Sequence, residues 1–180
     1  MISLALIFII GSVTYFGALS APFVFDDHAY IVDNGFIKDP ANMVHLFSSR
    51  YFEGIKKRWR PVSASLYFLG YRIWGLNPFG HRTIKILLHI LNGGLVFFLL
   101  QKLSRTYLPA FFSALFFLTH PVNAEAVNCI AFNDDLLAVF FLLLALLAAR
   151  HYQRSSKGRV LFVCLASYSC GLLSKETALF

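Results

Sequence analysis

Charge is scarce in this 180-residue chain: 14% of its residues are charged and only nine are acidic. Soluble domains carry about 25% charged residues. With 58% hydrophobic residues, 20 of them Phe, the chain has more apolar surface than one soluble core can hide, since even a domain of about 150 residues buries only about 70% of its unfolded surface. The same composition excludes disorder. Cysteine is sparse as well. Cys129, Cys164 and Cys170 fall in or beside apolar runs, so they define no disulfide framework. Also missing are a Gly-rich phosphate loop, a Cys-x-x-Cys pair and a His-Glu-x-x-His segment, the signatures of soluble nucleotide chemistry and of common zinc sites.

What the chain does contain is apolar length. The pattern predicts an all-α, polytopic membrane protein with spans near residues 2–20, 84–103, 107–120, 134–150 and 160–174, and an outer loop over about 21–83. A full crossing takes about 20 residues, so the fourth and fifth stretches are short. They either extend into flanking polar residues or begin beside a wet cavity, where irregular backbone is tolerated at membrane depth. The first stretch ends in Ala18-Leu19-Ser20, which resembles a leader-cleavage site, but it lacks a basic start and reads as a retained span.

Short connectors set sidedness. Lys102 and Arg105 follow the second span, and Arg150, Arg154, Lys157 and Arg159 follow the fourth. Neither connector holds an acid, so both read as cytoplasmic. All nine acids, Asp26, Asp27, Asp33, Asp39, Glu53, Glu125, Asp134, Asp135 and Glu176, then fall on the opposite side. Nine Lys/Arg between Ala21 and Lys85, including the run Lys56-Lys57-Arg58-Trp59-Arg60, argue the other way, but loops longer than roughly 60 residues translocate largely regardless of charge. The net charge of +7 suits an anionic membrane surface or a phosphate. Nucleic acid is not expected as a partner, since no basic soluble domain is there to present to it.

Within the outer loop, apolar spacing predicts helices over 36–49 and 61–74, lying in the interface plane, the second opened by Pro61 at a helix-start position. These helices cap the membrane domain or form a substrate platform. Acids recur at the boundary. Asp26-Asp27 follows the first span, Glu125 follows the His120-Pro121 break inside an uncharged stretch, and Asp134-Asp135 opens the fourth span. Adjacent carboxylates near low dielectric suit a general base or a cation site, or a polar flank; an ionisable group within a membrane stretch is a functional candidate. Asp134 and Asp135 also suit a helix N-terminus. Lys175-Glu176 ends the fifth span, as a snorkelling anchor or as part of the same outer site. His89 and Asn92 share a helix face and are expected to bond neighbouring helices.

Seven segments in order carry a resemblance: Phe23-Val24-Phe25-Asp26-Asp27-His28, Arg60-Pro61-Val62-Ser63, Gly75-Leu76-Asn77-Pro78-Phe79-Gly80, Leu87-Leu88-His89-Ile90-Leu91-Asn92, His120-Pro121-Val122-Asn123-Ala124-Glu125-Ala126-Val127, Asp135-Leu136-Leu137 and Leu173-Ser174-Lys175-Glu176-Thr177. Together they resemble the membrane half of the transmembrane and tetratricopeptide-repeat O-mannosyltransferases and their bacterial relatives of the GT-C glycosyltransferase fold. The resemblance implies the N-terminal part of a GT-C fold, followed in the family by further spans and a helical-repeat domain. It implies a polyprenyl-phosphate-linked sugar donor, a protein or glycan acceptor, and transfer at the lumenal or periplasmic face of the endoplasmic reticulum or bacterial inner membrane. Asp26 or Asp27 would be the catalytic carboxylate, with Asp27 preferred. Arg60, His120, Glu125, Asp135, Lys175 and Glu176 would bind donor phosphate or substrate, Arg60 and Lys175 supplying positive charge. Relatives often carry Gly-Arg before the acid-Leu-Leu segment, where this chain has Phe132 and Asn133.

The reading is inverting sugar transfer with no cofactor and no obligatory metal, because side chains can neutralise a monophosphate-linked donor. Two rivals remain open on sequence: a transporter or flippase subunit with Glu125 and Asp135 in an ion relay, and a non-catalytic docking module.

Overall fold

The computed structural model describes residues 2–51 and 58–179. Glu53, Lys56 and Lys57, counted above among the outer-loop charges, lie outside the described residues. Every regular element among the described residues is helical: α1 (Ile2–Tyr15), α2 (Gly35–Lys38), α3 (Pro61–Trp74), α4 (Pro78–Ser104), α5 (Tyr107–Thr119), α6 (Ala124–Asn128), α7 (Asn133–Ser155) and α8 (Gly158–Ser174), with short 3-10 and π turns between them.

Three stretches, Ile2–Ser20, Pro78–Ser104 and Ile130–Ser155, are long and apolar enough to cross a membrane. This is an all-α membrane protein. α5 and α8 are apolar but have 13 and 17 residues, rising about 20 and 26 Å against a hydrocarbon core of about 30 Å. α4 starts six residues before the apolar stretch read from sequence. Pro78 occupies its first turn and the Asn77 side chain accepts from Phe79 N–H at 3.1 Å, a cap that the hydropathy pattern does not register. α7 extends to Ser155 and stops where Ser156 turns left-handed at φ 49°. α5 stops at the extended His120, which precedes Pro121, as expected before a proline.

The helices run up and down, so that their ends sort into two sets. Arg82, near the start of α4, donates to the carbonyls of Ala21 and Asn128, and Ser63 in α3 donates to Ser174 O at 3.0 Å. At the far end Ser3 of α1 hydrogen-bonds Tyr107 of α5. The described acids thus gather at one end, while Lys102, Arg105, Arg150, Arg154, Lys157 and Arg159 sit in the turns and helix ends at the other.

Three buried clusters stack along the molecule. Ile7, Phe97, Ala110, Ala114 and Leu118 join α1, α4 and α5; Tyr15, Ile86, Leu88, Ile90, Val127, Leu136 and Leu137 form the middle. Ile31, Ile37, Leu46, Tyr51, Ala64, Tyr67, Phe68 and Ile130 build a third beneath the outer loop. Close helix approach depends on Gly93: a Cβ there would stand 2.7 Å from the Leu118 side chain. His89 and Asn92 behave as the sequence predicts, bonding the carbonyls of Leu118 (3.2 Å) and Leu136 (3.0 Å) on neighbouring helices.

In the outer loop, α3 spans the expected Pro61–Trp74 and ends at Gly75, whose φ of 55° suits glycine. The continuous helix expected over 36–49 is broken in two. Pro40 drives Asp39 into extended backbone (ψ 111°), and the Asp39 carboxylate then caps a 3-10 helix over Pro40–Phe47 through Ala41 N–H at 2.9 Å, while Asn34 caps α2 at Phe36 N–H.

Candidate active site

At the acidic end a cavity of about 1160 Å³ opens between the outer loop and the membrane helices. Asp26, Tyr30 and Asp33 line it from the segment after α1, Glu125 from α6, Asp134 and Asp135 from α7, Arg58 and Arg60 from just before α3, and Lys175 from just after α8. Five of the eight residues singled out in the sequence, Asp26, Arg60, Glu125, Asp135 and Lys175, therefore share one chamber although 149 positions separate the first from the last (175 − 26).

The two adjacent aspartates part company. Asp26 is exposed on the cavity wall, and Phe25 before it is held at φ 47° and is 90% exposed, a left-handed backbone rarely adopted by an aromatic residue. Asp27 is fully buried: its Oδ2 accepts Val24 N–H (3.0 Å), and its Oδ1 accepts Ala131 N–H (2.8 Å) and the Cys129 thiol (3.4 Å). The Arg82 guanidinium lies 4.0 Å away. The two neighbours thus differ in access: Asp27 is buried with both oxygens hydrogen-bonded, whereas Asp26 lines the chamber.

Asp27 is one strand of a polar knot. Arg82 donates to Ala21, Pro22 and Asn128 carbonyls, and the fully buried Lys85 donates to Cys129 O. Tyr67 adds a hydrogen bond to Ala131 O at 2.5 Å; burial holds its hydroxyl well above its usual range, so it stays a donor. Burial first, and the nearby Asp27 second, push the Cys129 thiol up to about 11. The knot ties residues 21–27 and 128–131 onto α4 and so fixes where Asp26 stands.

Arg60 is gripped from two sides. It donates to the buried Asp134, and its Nε and one terminal nitrogen fork onto Glu176 at 3.0 and 2.6 Å. The fork lowers Glu176 to about 2. Burial alone would depress the Arg60 guanidinium, but Glu176 and Asp134 more than reverse this, and its net shift is upward. Lys175 meets Asp135 at 2.5 Å. Among the described residues Asp26, Asp33 and Glu125 pair with no cation, so the chamber is lined by both compensated and uncompensated acids. No three His, Cys, Asp or Glu among the described residues converge as a metal site requires.

Besides Asp27, two sequence candidates stand apart from the chamber lining. His120 lines a neighbouring cavity of about 460 Å³ beside the ends of α1 and α5, where its Nδ1 accepts Val122 N–H at 3.2 Å and caps the turn. Glu176 reaches the chamber through Arg60. Glu125 lies on the short α6 between α5 and α7, rather than within a crossing helix, because Pro121 ends the apolar run first. Sequence reading passed over Arg82, Lys85, Tyr67 and Arg58. Arg82 and Lys85 had a signal: with His89 and Asn92 they recur at intervals of three, four and three residues, a polar stripe down one face of an apolar helix.

The chain is similar to known proteins. Residues 60–180 match the family model described as dolichyl-phosphate-mannose-protein mannosyltransferase. The chain is 27% identical over 173 residues to the protein O-mannosyl-transferase Tmtc1 of Drosophila melanogaster, covering 93% of this chain and 20% of that protein. It is 30% identical over 179 residues to the protein O-mannosyl-transferase TMTC2 of both Mus musculus and Homo sapiens, covering 93% of this chain and 21% of each. The chain thus spans about a fifth of the length of these curated relatives. No solved structure matches.

Proposed function

From a chain that belongs to the dolichyl-phosphate-mannose-protein mannosyltransferase family, we propose a membrane glycosyltransferase that moves a sugar, of mannosyl type, from a polyprenyl-phosphate-linked donor to a protein hydroxyl. The chain would cross the membrane several times, with the acidic end facing the lumen or periplasm.

The observation that carries this reading is one chamber lined both by an accessible carboxylate, Asp26, and by the cations Arg60 and Lys175. Asp26 takes the proton of the acceptor hydroxyl as that oxygen attacks the anomeric carbon. The bond from that carbon to the phosphate oxygen breaks on the opposite face, so configuration inverts, and polyprenyl phosphate leaves with the bonding pair. A phosphate is a stable leaving anion, so the reaction needs positive charge beside it more than a proton. Arg60 suits that task, since a guanidinium fork matches phosphate oxygens. Glu125 would hydrogen-bond sugar or acceptor hydroxyls, and Asp135 would keep Lys175 aimed.

The family relationship and the geometry both favour transfer over transport. The described acids lie at one end of the helices, which gives an ion relay no acidic step through the membrane.

The test is the complete protein in lipid nanodiscs, given a short polyprenyl-phosphate mannose and a Ser/Thr peptide. Mannosylated peptide and released polyprenyl phosphate should accumulate together, and Asp26→Asn should slow both about 10²–10⁴-fold. An unchanged rate in Asp26→Asn would overturn the assignment of the base. Turnover should persist in chelator; complete loss restored by manganese or magnesium would overturn the metal-free reading.

A further inference from the structure

The two acids on Arg60 are not equivalent. Asp134 is locked in the first turn of α7 with a side chain 7% exposed, whereas Glu176 is 61% exposed and sits on a four-residue 3-10 turn beyond α8. Glu176 nevertheless takes the better geometry: its two oxygens meet Nε and a terminal nitrogen side by side, as two oxygens of a phosphate would. We propose that Glu176 is a stand-in for the donor phosphate, occupying the Arg60 fork and yielding it to the phosphate of the lipid-linked sugar by anion exchange.

This rests on the donor-phosphate reading above and adds how that seat is regulated. Exchange is balanced in charge, because a phosphodiester and a carboxylate each bring one negative charge. Asp134 stays in place throughout and keeps Arg60 pointed at the chamber. An exposed side chain can leave without exposing buried surface, and the carboxylate it releases is solvated by bulk water. After transfer the phosphate becomes a monoester with an additional charge. Glu176, tethered one residue from Lys175, is then the competitor at hand to retake the fork and expel product. A residue that merely propped Arg60 in place would act in the opposite direction, since its removal would loosen the seat.

Equilibrium binding of farnesyl phosphate to the complete protein, in phospholipid-free detergent, reads this out. Glu176→Gln and Glu176→Ala should each bind about fivefold tighter than wild type, the scale of one exposed ion pair, and steady-state turnover should show a lower donor KM together with a lower kcat from slowed product release. Arg60→Gln should abolish binding in either background. Unchanged or weaker binding in both Glu176 variants, with Arg60→Gln still inactive in binding, would overturn the exchange and leave the phosphate seat standing. Binding indifferent to Arg60→Gln would instead overturn the seat itself. Inorganic phosphate should compete only at far higher concentration, and so should added phosphatidylglycerol. Equal potency of either would assign the fork to free phosphate or to a bilayer headgroup and overturn the lipid-linked donor as its ligand.

Discussion

The Asp27 carboxylate accepts the backbone N–H of Ala131 at 2.8 Å across 104 positions of sequence. That bond joins the segment leaving the first helix to the segment entering α7, and both segments contribute residues to the chamber lining. Asp26 stands beside the knot and faces the cavity; Asp27 is inside it.

The adjacent aspartates should therefore separate cleanly on mutation. Asp27→Ala leaves three donors unanswered and Arg82 buried without its nearest carboxylate. Loss of one partner from such a buried charge pair costs about 3–5 kcal/mol, read as a lowered Tm of the detergent-solubilised protein. Asp26→Asn touches an exposed side chain and should leave stability within about 0.5 kcal/mol while transfer collapses. A stable, inactive Asp27→Asn beside an active Asp26→Asn would exchange the two roles.

Cys129 should resist alkylation. Burial and the Asp27 carboxylate raise its thiol from 9.0 to about 11, so at pH 8 it is protonated and donates to Asp27. Iodoacetamide at pH 8 should leave Cys129 unmodified in the native protein and modify it after denaturation, as peptide mapping would show. The raised value also fixes a sign: the thiol's contribution to stability is fully present below pH 9 and is lost as pH climbs through 11. Melting curves from pH 8 to 11 should fall more steeply in wild type than in Cys129→Ala.

The Arg60–Glu176 fork makes the opposite prediction at low pH. Glu176 is lowered from 4.5 to about 2, chiefly by its hydrogen bonds to Arg60. A depressed carboxyl contributes stability above its unfolded value, and that contribution fades as pH falls from 4.5 through 2. With 61% of the side chain in solvent, screening limits the effect to about 1 kcal/mol or less. The Tm difference between wild type and Glu176→Gln should be constant above pH 5, shrink toward pH 2, and shrink again in high salt. A difference independent of pH would remove the fork's electrostatic role.

Much of this architecture is legible in the chain because membrane helices announce themselves by apolar length, and basic connectors reveal which ends lie together. Pro61 and Gly75 mark α3 to the residue, since one presets a helical φ and the other ends the helix at positive φ. Which of Asp26 and Asp27 is buried was not legible: neighbouring residues on a helical turn point about 100° apart, and only the partners of one face decide it. Arg60 is a similar case. Its charge was visible, but its partners lie 74 and 116 positions away, and no local pattern encodes such distances. His120 read as a site residue because it precedes Pro121-Val122-Asn123; the same spacing makes it a cap, its ring bonding Val122 N–H.

The most direct test of the shared chamber is sided labelling of the complete protein in sealed vesicles, with Cys129, Cys164 and Cys170 replaced and single cysteines introduced by Asp26→Cys, Glu125→Cys, Arg105→Cys or Arg154→Cys. A membrane-impermeant maleimide should reach the first two from one side and the last two from the other. Labelling of positions 26 and 125 from opposite sides would contradict the chamber, and with it the sugar transfer assigned to it.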